Sequence, residues 1–152
     1  MTWDKIVKLL AGIAGAVAGF LGEWDVMLTV LACLMVIDYL TGLAVAWRGK
    51  SPKSETGSVS SKAGFDGLVR KGFICCMVLI AALLDAALGN TNHAFRLAAA
   101  MYYTANEGIS ILENTALMDV PYPSFILKAL ETMREKSDDD GKDHPPDENK
   151  NK

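Results

Sequence analysis

The stretch from Val26 to Trp47, VMLTVLACLMVIDYLTGLAVAW, constrains this chain more than any other. It holds 22 residues, no proline and one charge, Asp38. At about 1.5 Å of rise per residue, a helix of this length crosses the roughly 30 Å hydrocarbon core of a bilayer. A core helix in a soluble protein needs protein on all sides, and a chain of 152 residues supplies little. The stretch therefore predicts a transmembrane helix with a single acid past its midpoint, followed by Tyr39, Thr41 and Gly42.

The remaining apolar segments extend this pattern. Hydrophobic residues make up 51% of the chain, and the mean hydropathy of +0.20 is held down by polar residues gathered in one loop and the tail. Before the organising helix, residues 6–22 form a shorter apolar run in which Gly15 and Gly19 make a GxxxG pattern. In lipid this spacing lets two helix backbones approach closely, either between subunits or within one. A third run covers residues 72–89, with Asp85 as its one charge. The fourth, Ala94 to Leu117, is interrupted by Arg96, Glu107 and Glu113, so hydropathy alone leaves its crossing, over residues 96–117, open.

Charge asymmetry supplies a topology. Residues 48–71 read as a polar loop carrying Arg48, Lys50, Lys53, Lys62, Arg70 and Lys71 against Glu55 and Asp66. The positive-inside rule places this loop in the cytoplasm. With spans at 6–22, 26–47, 72–89 and 96–117, both termini then fall inside. Pro121 and Pro123 end the fourth helix. Residues 121–136 predict a short amphipathic helix, capped at Ser124, for the membrane surface or another subunit. Residues 137–152 contain no aliphatic side chain and predict a disordered charged tail. The expected fold is all-α: a membrane domain of about four helices over residues 1–120, that short helix, and the tail.

Several functions are disfavoured. A net charge of −3 and the lack of a basic, aromatic face argue against nucleic acid as partner. Cys33, Cys75 and Cys76 lie in apolar runs without metal or redox spacing, and read as small buried thiols. No cleavable signal peptide is expected, since no suitable cleavage site precedes Glu23 and Asp25. No nucleotide-binding glycine pattern or His-centred ligand spacing occurs, so neither cofactor, metal nor enzymatic activity is expected. Gly64-Phe-Asp-Gly67 reads as a turn.

The intramembrane polar groups are the candidate functional residues. Asp38, Asp85, Glu107 and Glu113 are costly in lipid and should face helices, water or one another. On the fourth segment, Asn106, Ser110 and Glu113, and Tyr103, Glu107, Ser110 and Asn114, recur at three- and four-residue steps and form a polar band on one face. This band either ties the helices of a monomer together or lines water and switches subunit packing. Arg96 is expected at the outer interface.

Three ordered motifs carry a family resemblance: Asp38-Tyr39-Leu40-Thr41-Gly42; Ser60-Ser61-Lys62-Ala63-Gly64-Phe65-Asp66-Gly67-Leu68-Val69-Arg70-Lys71 with Leu84-Asp85; and Asn106-Glu107-Gly108-Ile109-Ser110-Ile111-Leu112-Glu113-Asn114 with Val120-Pro121-Tyr122-Pro123. From about Val30 to Lys136 the chain resembles the small bacteriophage and toxin-secretion holins, departing from them in the length added by residues 51–58. The resemblance implies a non-enzymatic homo-oligomer of the bacterial cytoplasmic membrane. Such an assembly opens lesions at a set time, through which an endolysin or a toxin passes, and a separate antiholin is compatible with it. A small ion channel or transporter using the same carboxylates, and a membrane scaffold acting through its tail, are the alternatives.

Overall fold

In the computed structural model, residues 24–52 and 57–140 are described, together with isolated positions before residue 20. The first predicted span, residues 6–22, lies outside the described residues apart from such positions, as do residues 141–152 of the tail. Among the described residues the chain is entirely helical: α1 (Val26–Trp47), α2 (Ser61–Leu88), α3 (Ala94–Leu117) and α4 (Ser124–Asp140).

Local chemistry sets the ends of α1. The Asp25 carboxylate accepts a hydrogen bond from the Leu28 amide at 2.9 Å, satisfying one of the orphan donors of the first turn. The Trp24 indole donates to Thr29 Oγ1 at 2.8 Å, which fixes the entering chain. The helix stops where Gly49 adopts a φ of 70°, a left-handed conformation that glycine takes without penalty.

Helix α2 departs from the expected loop at residues 48–71 and span at 72–89. It starts at Ser61 and runs 28 residues, so residues 61–71 are helical. Charge at Lys62, Asp66, Arg70 and Lys71 signals the end of apolar character, which differs from the end of a helix. No proline or cap interrupts residues 61–71, and Gly64 and Gly67 sit in this helix rather than in a turn, against Tyr39 of α1. Gly89, at φ 71°, closes α2, with the Asn90 amide bonded to the Asp85 carbonyl at 2.9 Å.

Helix α3 is the centre of the bundle. It packs against α1, α2 and α4, whereas α1 and α2 touch each other only slightly. The core joins Leu28 and Leu31 of α1, Ile74 and Val78 of α2, and Ala100 of α3. Buried Ala98, Ala100 and Ala105 keep the flanks of α3 narrow, so its neighbours approach closely. The start of α3 is capped by another helix. Asp85, 1% exposed, accepts from the amides of Phe95 at 3.1 Å and Arg96 at 2.8 Å. A carboxylate there also meets the positive end of the helix dipole.

Helix α4 reaches Asp140, four residues past the predicted boundary, and folds back along α3 instead of standing apart from it. Leu130 sits over Gly108, where an added Cβ would come within 2.8 Å of it. The Arg134 guanidinium lies 5.7 Å from the Tyr102 ring centroid, and Ser137 is buried. Composition marks Ser137 to Asp140 as unstructured because it carries no signal of this packing. The three cysteines also depart from expectation: all are exposed, on faces turned away from the bundle.

Two of the described helices, α1 and α2, are long and apolar enough to cross a membrane. Most of their apolar surface points outward, including Val36, Leu40, Phe73 and Ile80. So large an exposed apolar surface is foreign to a water-soluble monomer.

Replacing Asp85 by Ala leaves two amides at the start of α3, that of Arg96 buried and that of Phe95 partly buried, without this acceptor. At about 1–3 kcal/mol for each unsatisfied buried group, the variant should melt well below the parent in detergent micelles. An unchanged melting temperature would show that the cap is dispensable.

Candidate functional site, a buried ion-pair cluster

Three helices each deliver one charged side chain to a single point. Lys71 of α2 places its ammonium 2.8 Å from Oδ2 of Asp38 on α1 and also bonds Oε2 of Glu107 on α3. The side chains of Lys71, Asp38 and Glu107 are 11%, 12% and 5% exposed, so water reaches the cluster poorly. Asn114, nearly two turns beyond Glu107, donates from Nδ2 to Asp38 Oδ1 at 3.2 Å and to Thr41 Oγ1 at 3.0 Å. The Thr41 hydroxyl in turn donates to the Asp38 carbonyl at 3.1 Å. Gly42 faces the same group: a Cβ added there would meet the Asn114 amide nitrogen at 3.7 Å, an ordinary contact distance.

The local sequence explains why these groups meet. Asp38, Thr41 and Gly42 share one face of α1, and Glu107, Ser110 and Asn114 share one face of α3. Lys71 marks the border on α2 between its charged start and its apolar remainder. A cavity of about 100 Å³ opens above the cluster, lined among others by Tyr39, Ser58, Gly64, Arg70 and Ser110. The cluster contains two carboxylates and one ammonium. Its geometry allows the lysine to hold α1 and α3 together, and protonation of either carboxylate would change that bond.

The predicted polar band is thus divided. Asp38, Glu107 and Asn114 are brought together, and Ser110 lines the cavity beside them. Asn106 is half-buried away from the cavity, and Glu113 is exposed. Asp85 lies at the opposite end of α3 as its cap. No described atom lies within 4 Å of a Cβ added at Gly15 or Gly19. Two participants escaped the sequence reading. Lys71 reads in the sequence as one of six positive loop charges, although its position beside an apolar run is a signal for it. Arg96, expected at the outer interface, is buried within the subunit near the start of α3, with Nη2 2.8 Å from Asp25 Oδ2. Asp25 therefore caps α1 and pairs with α3 at once.

A fourth ion pair lies outside the bundle. Lys50 Nζ stands 2.6 Å from Asp119 Oδ2, linking the turn after α1 to the turn after α3. The hydrogen bond from Lys50 holds the Asp119 carboxyl below its ordinary range.

Outward apolar faces combined with charges paired inside mark a helical membrane protein. A family description fits the same residues: the bacteriophage holin family matches residues 15–135, and the chain belongs to it. A probable holin of Bacillus phage phi105 is 31% identical over 80% of this chain and 82% of its own length. An uncharacterised protein of Clostridium perfringens is 37% identical over 76% of this chain and 81% of its own. One from Halalkalibacterium halodurans is 36% identical over 86% and 96% respectively. No solved structure matches the chain.

Breaking a buried ion pair by removing one partner costs about 3–5 kcal/mol, because the other charge is left uncompensated. Lys71→Met should therefore destabilise the bundle strongly, Lys71→Arg much less. Adding Asp38→Asn and Glu107→Gln to Lys71→Met should recover part of the loss in detergent melting. Additive losses across these variants would rule out a coupled cluster.

Proposed function

We propose that this protein is a non-enzymatic holin. It accumulates and oligomerises in the bacterial cytoplasmic membrane, then opens lesions at a set time through which an endolysin, or in some settings a toxin, passes. The endolysin is a functional partner and need not bind the chain. The supporting observation is the family match across residues 15–135, with the probable phage holin among the relatives. The outward apolar faces of α1 and α2 agree with it.

In this reading the chain crosses the membrane four times, by residues 6–22, α1, the apolar part of α2 and α3, with both termini cytoplasmic. Helix α3 crosses as the inner member of the bundle, its polar groups matched by α1 and α2. The Asp38–Lys71–Glu107 cluster sets the balance between closed and open packing, because the three helices separate only by stranding its charges. Glu113, on the exposed side of α3, and the Gly15 and Gly19 pair are assigned to contacts between subunits. A small ion channel using the same carboxylates is the second reading, favoured by the cavity above the cluster.

Inducible expression in a bacterial host, with and without a cytoplasmic endolysin lacking an export signal, separates the two. A holin depolarises the membrane abruptly after a delay and gives lysis only with endolysin. A channel depolarises without releasing the enzyme. Steady growth with the protein present in the membrane would exclude both.

Within the holin reading, Glu107→Gln should shift the triggering time more than Glu113→Gln at equal accumulation. Timing left unaltered by Glu107→Gln would remove the cluster from the mechanism.

A further inference from the structure

Helix α4 poses a physical conflict. It lies antiparallel along α3, with Leu130 on Gly108 and Arg134 over Tyr102. Ser137 and Asp138 border the same shallow groove as Met77, Ile80 and Leu84 of α2 and Phe95 of α3. Charged residues of α4 therefore stand level with the apolar face of α2. Eight of the 17 residues of α4 are charged, and Lys128, Glu131, Glu135 and Lys136 are exposed on the side away from α3. Hydrocarbon cannot solvate such a face.

The subunit is also two-sided. Apolar side chains project outward from α1 and α2, whereas α4 packs on α3 alone among the described helices. A lipid-facing side and a water-demanding side thus meet along the groove between α2 and the end of α4. A second copy is the poorer cover for α4, because it would have to desolvate both signs of charge on that face.

We propose that α4 forms part of the aqueous wall of the assembled lesion, lying against α3 at bilayer depth only where water reaches its outer face. This rests on the holin reading above. Docking of α4 and the presence of a water-filled opening then require each other. Before opening, with both termini cytoplasmic, α4 is held away from α3 and the notch at Gly108 lacks Leu130; once docked, α4 carries Asp138 to the Phe95 end of α3, the outer end in that topology. The segment that permits this movement is short and defined: Asp119 has a φ of 60°, Pro121 and Pro123 follow, and the Lys50–Asp119 pair anchors its start.

The test uses the full chain with Cys33, Cys75 and Cys76 changed to Ala. Gly108→Cys and Leu130→Cys are added together, so that the smaller side chain at 130 makes room for the one at 108. Membranes taken before and after depolarisation are oxidised with lipid-permeable copper phenanthroline. The intramolecular disulfide should rise several-fold on depolarisation. Equal yields before and after, or little disulfide at either stage, would overturn the proposal.

An independent measurement covers a double variant that fails to accumulate. A nitroxide on Glu135→Cys, in the purified chain opening vesicles of phosphatidylethanolamine and phosphatidylglycerol, should relax with an aqueous nickel chelate. Preferential relaxation by oxygen dissolved in lipid would place α4 against hydrocarbon and end the idea. The cysteine-free parent is the control for the holin reading itself. If it never depolarises the host, that reading fails and this inference with it, whereas a depolarising parent with an unfavourable cross-linking result removes the inference alone.

Discussion

One ammonium shared by two buried carboxylates holds this bundle at a single point. Lys71, Asp38 and Glu107 come from three helices, and no two of those helices can separate fully without leaving a charge unmatched. In water such a pair would contribute little, because solvent competes for both partners. Where little water reaches and lipid lies outside, the alternative to the bond is an isolated charge, and the contact becomes a condition on the packing.

The other polar contacts follow the same rule from the opposite end of α3. Asp25 caps α1 and bonds Arg96; Asp85 caps α3 from the end of α2. Each buried charge is thereby satisfied by a neighbouring helix, which lets α3 occupy the middle of the bundle although it is less apolar than α1 or α2. Small residues complete the arrangement. Ala98, Ala100 and Ala105 admit the flanking helices, and Gly108 admits Leu130.

For a holin this construction has a direct consequence. On the proposed reading, the polar groups that hold α1, α2 and α3 together are the ones a change of packing would expose to water, while the apolar faces remain in lipid throughout.

The sequence by itself determined the all-helical character and the membrane class. Continuous apolar runs suffice to predict α1 and the apolar part of α2, and proline at 121 and 123 suffices to end α3, because these signals are local to the backbone and its solvent. The motifs around Asp38, Glu107 and Asn114 also singled out much of the site, since buried polar groups at helical spacing stand out against apolar surroundings. Partnership was decided only by tertiary structure. Whether Lys71 belongs to a loop or to a buried cluster, whether Glu113 faces inward, and whether Ser124 to Asp140 lies free or folds onto α3 depend on which surfaces meet. Hydropathy averages over all faces of a helix, so it made the central helix the most ambiguous one. Its charges are matched by residues distant in the chain, and no local pattern records that.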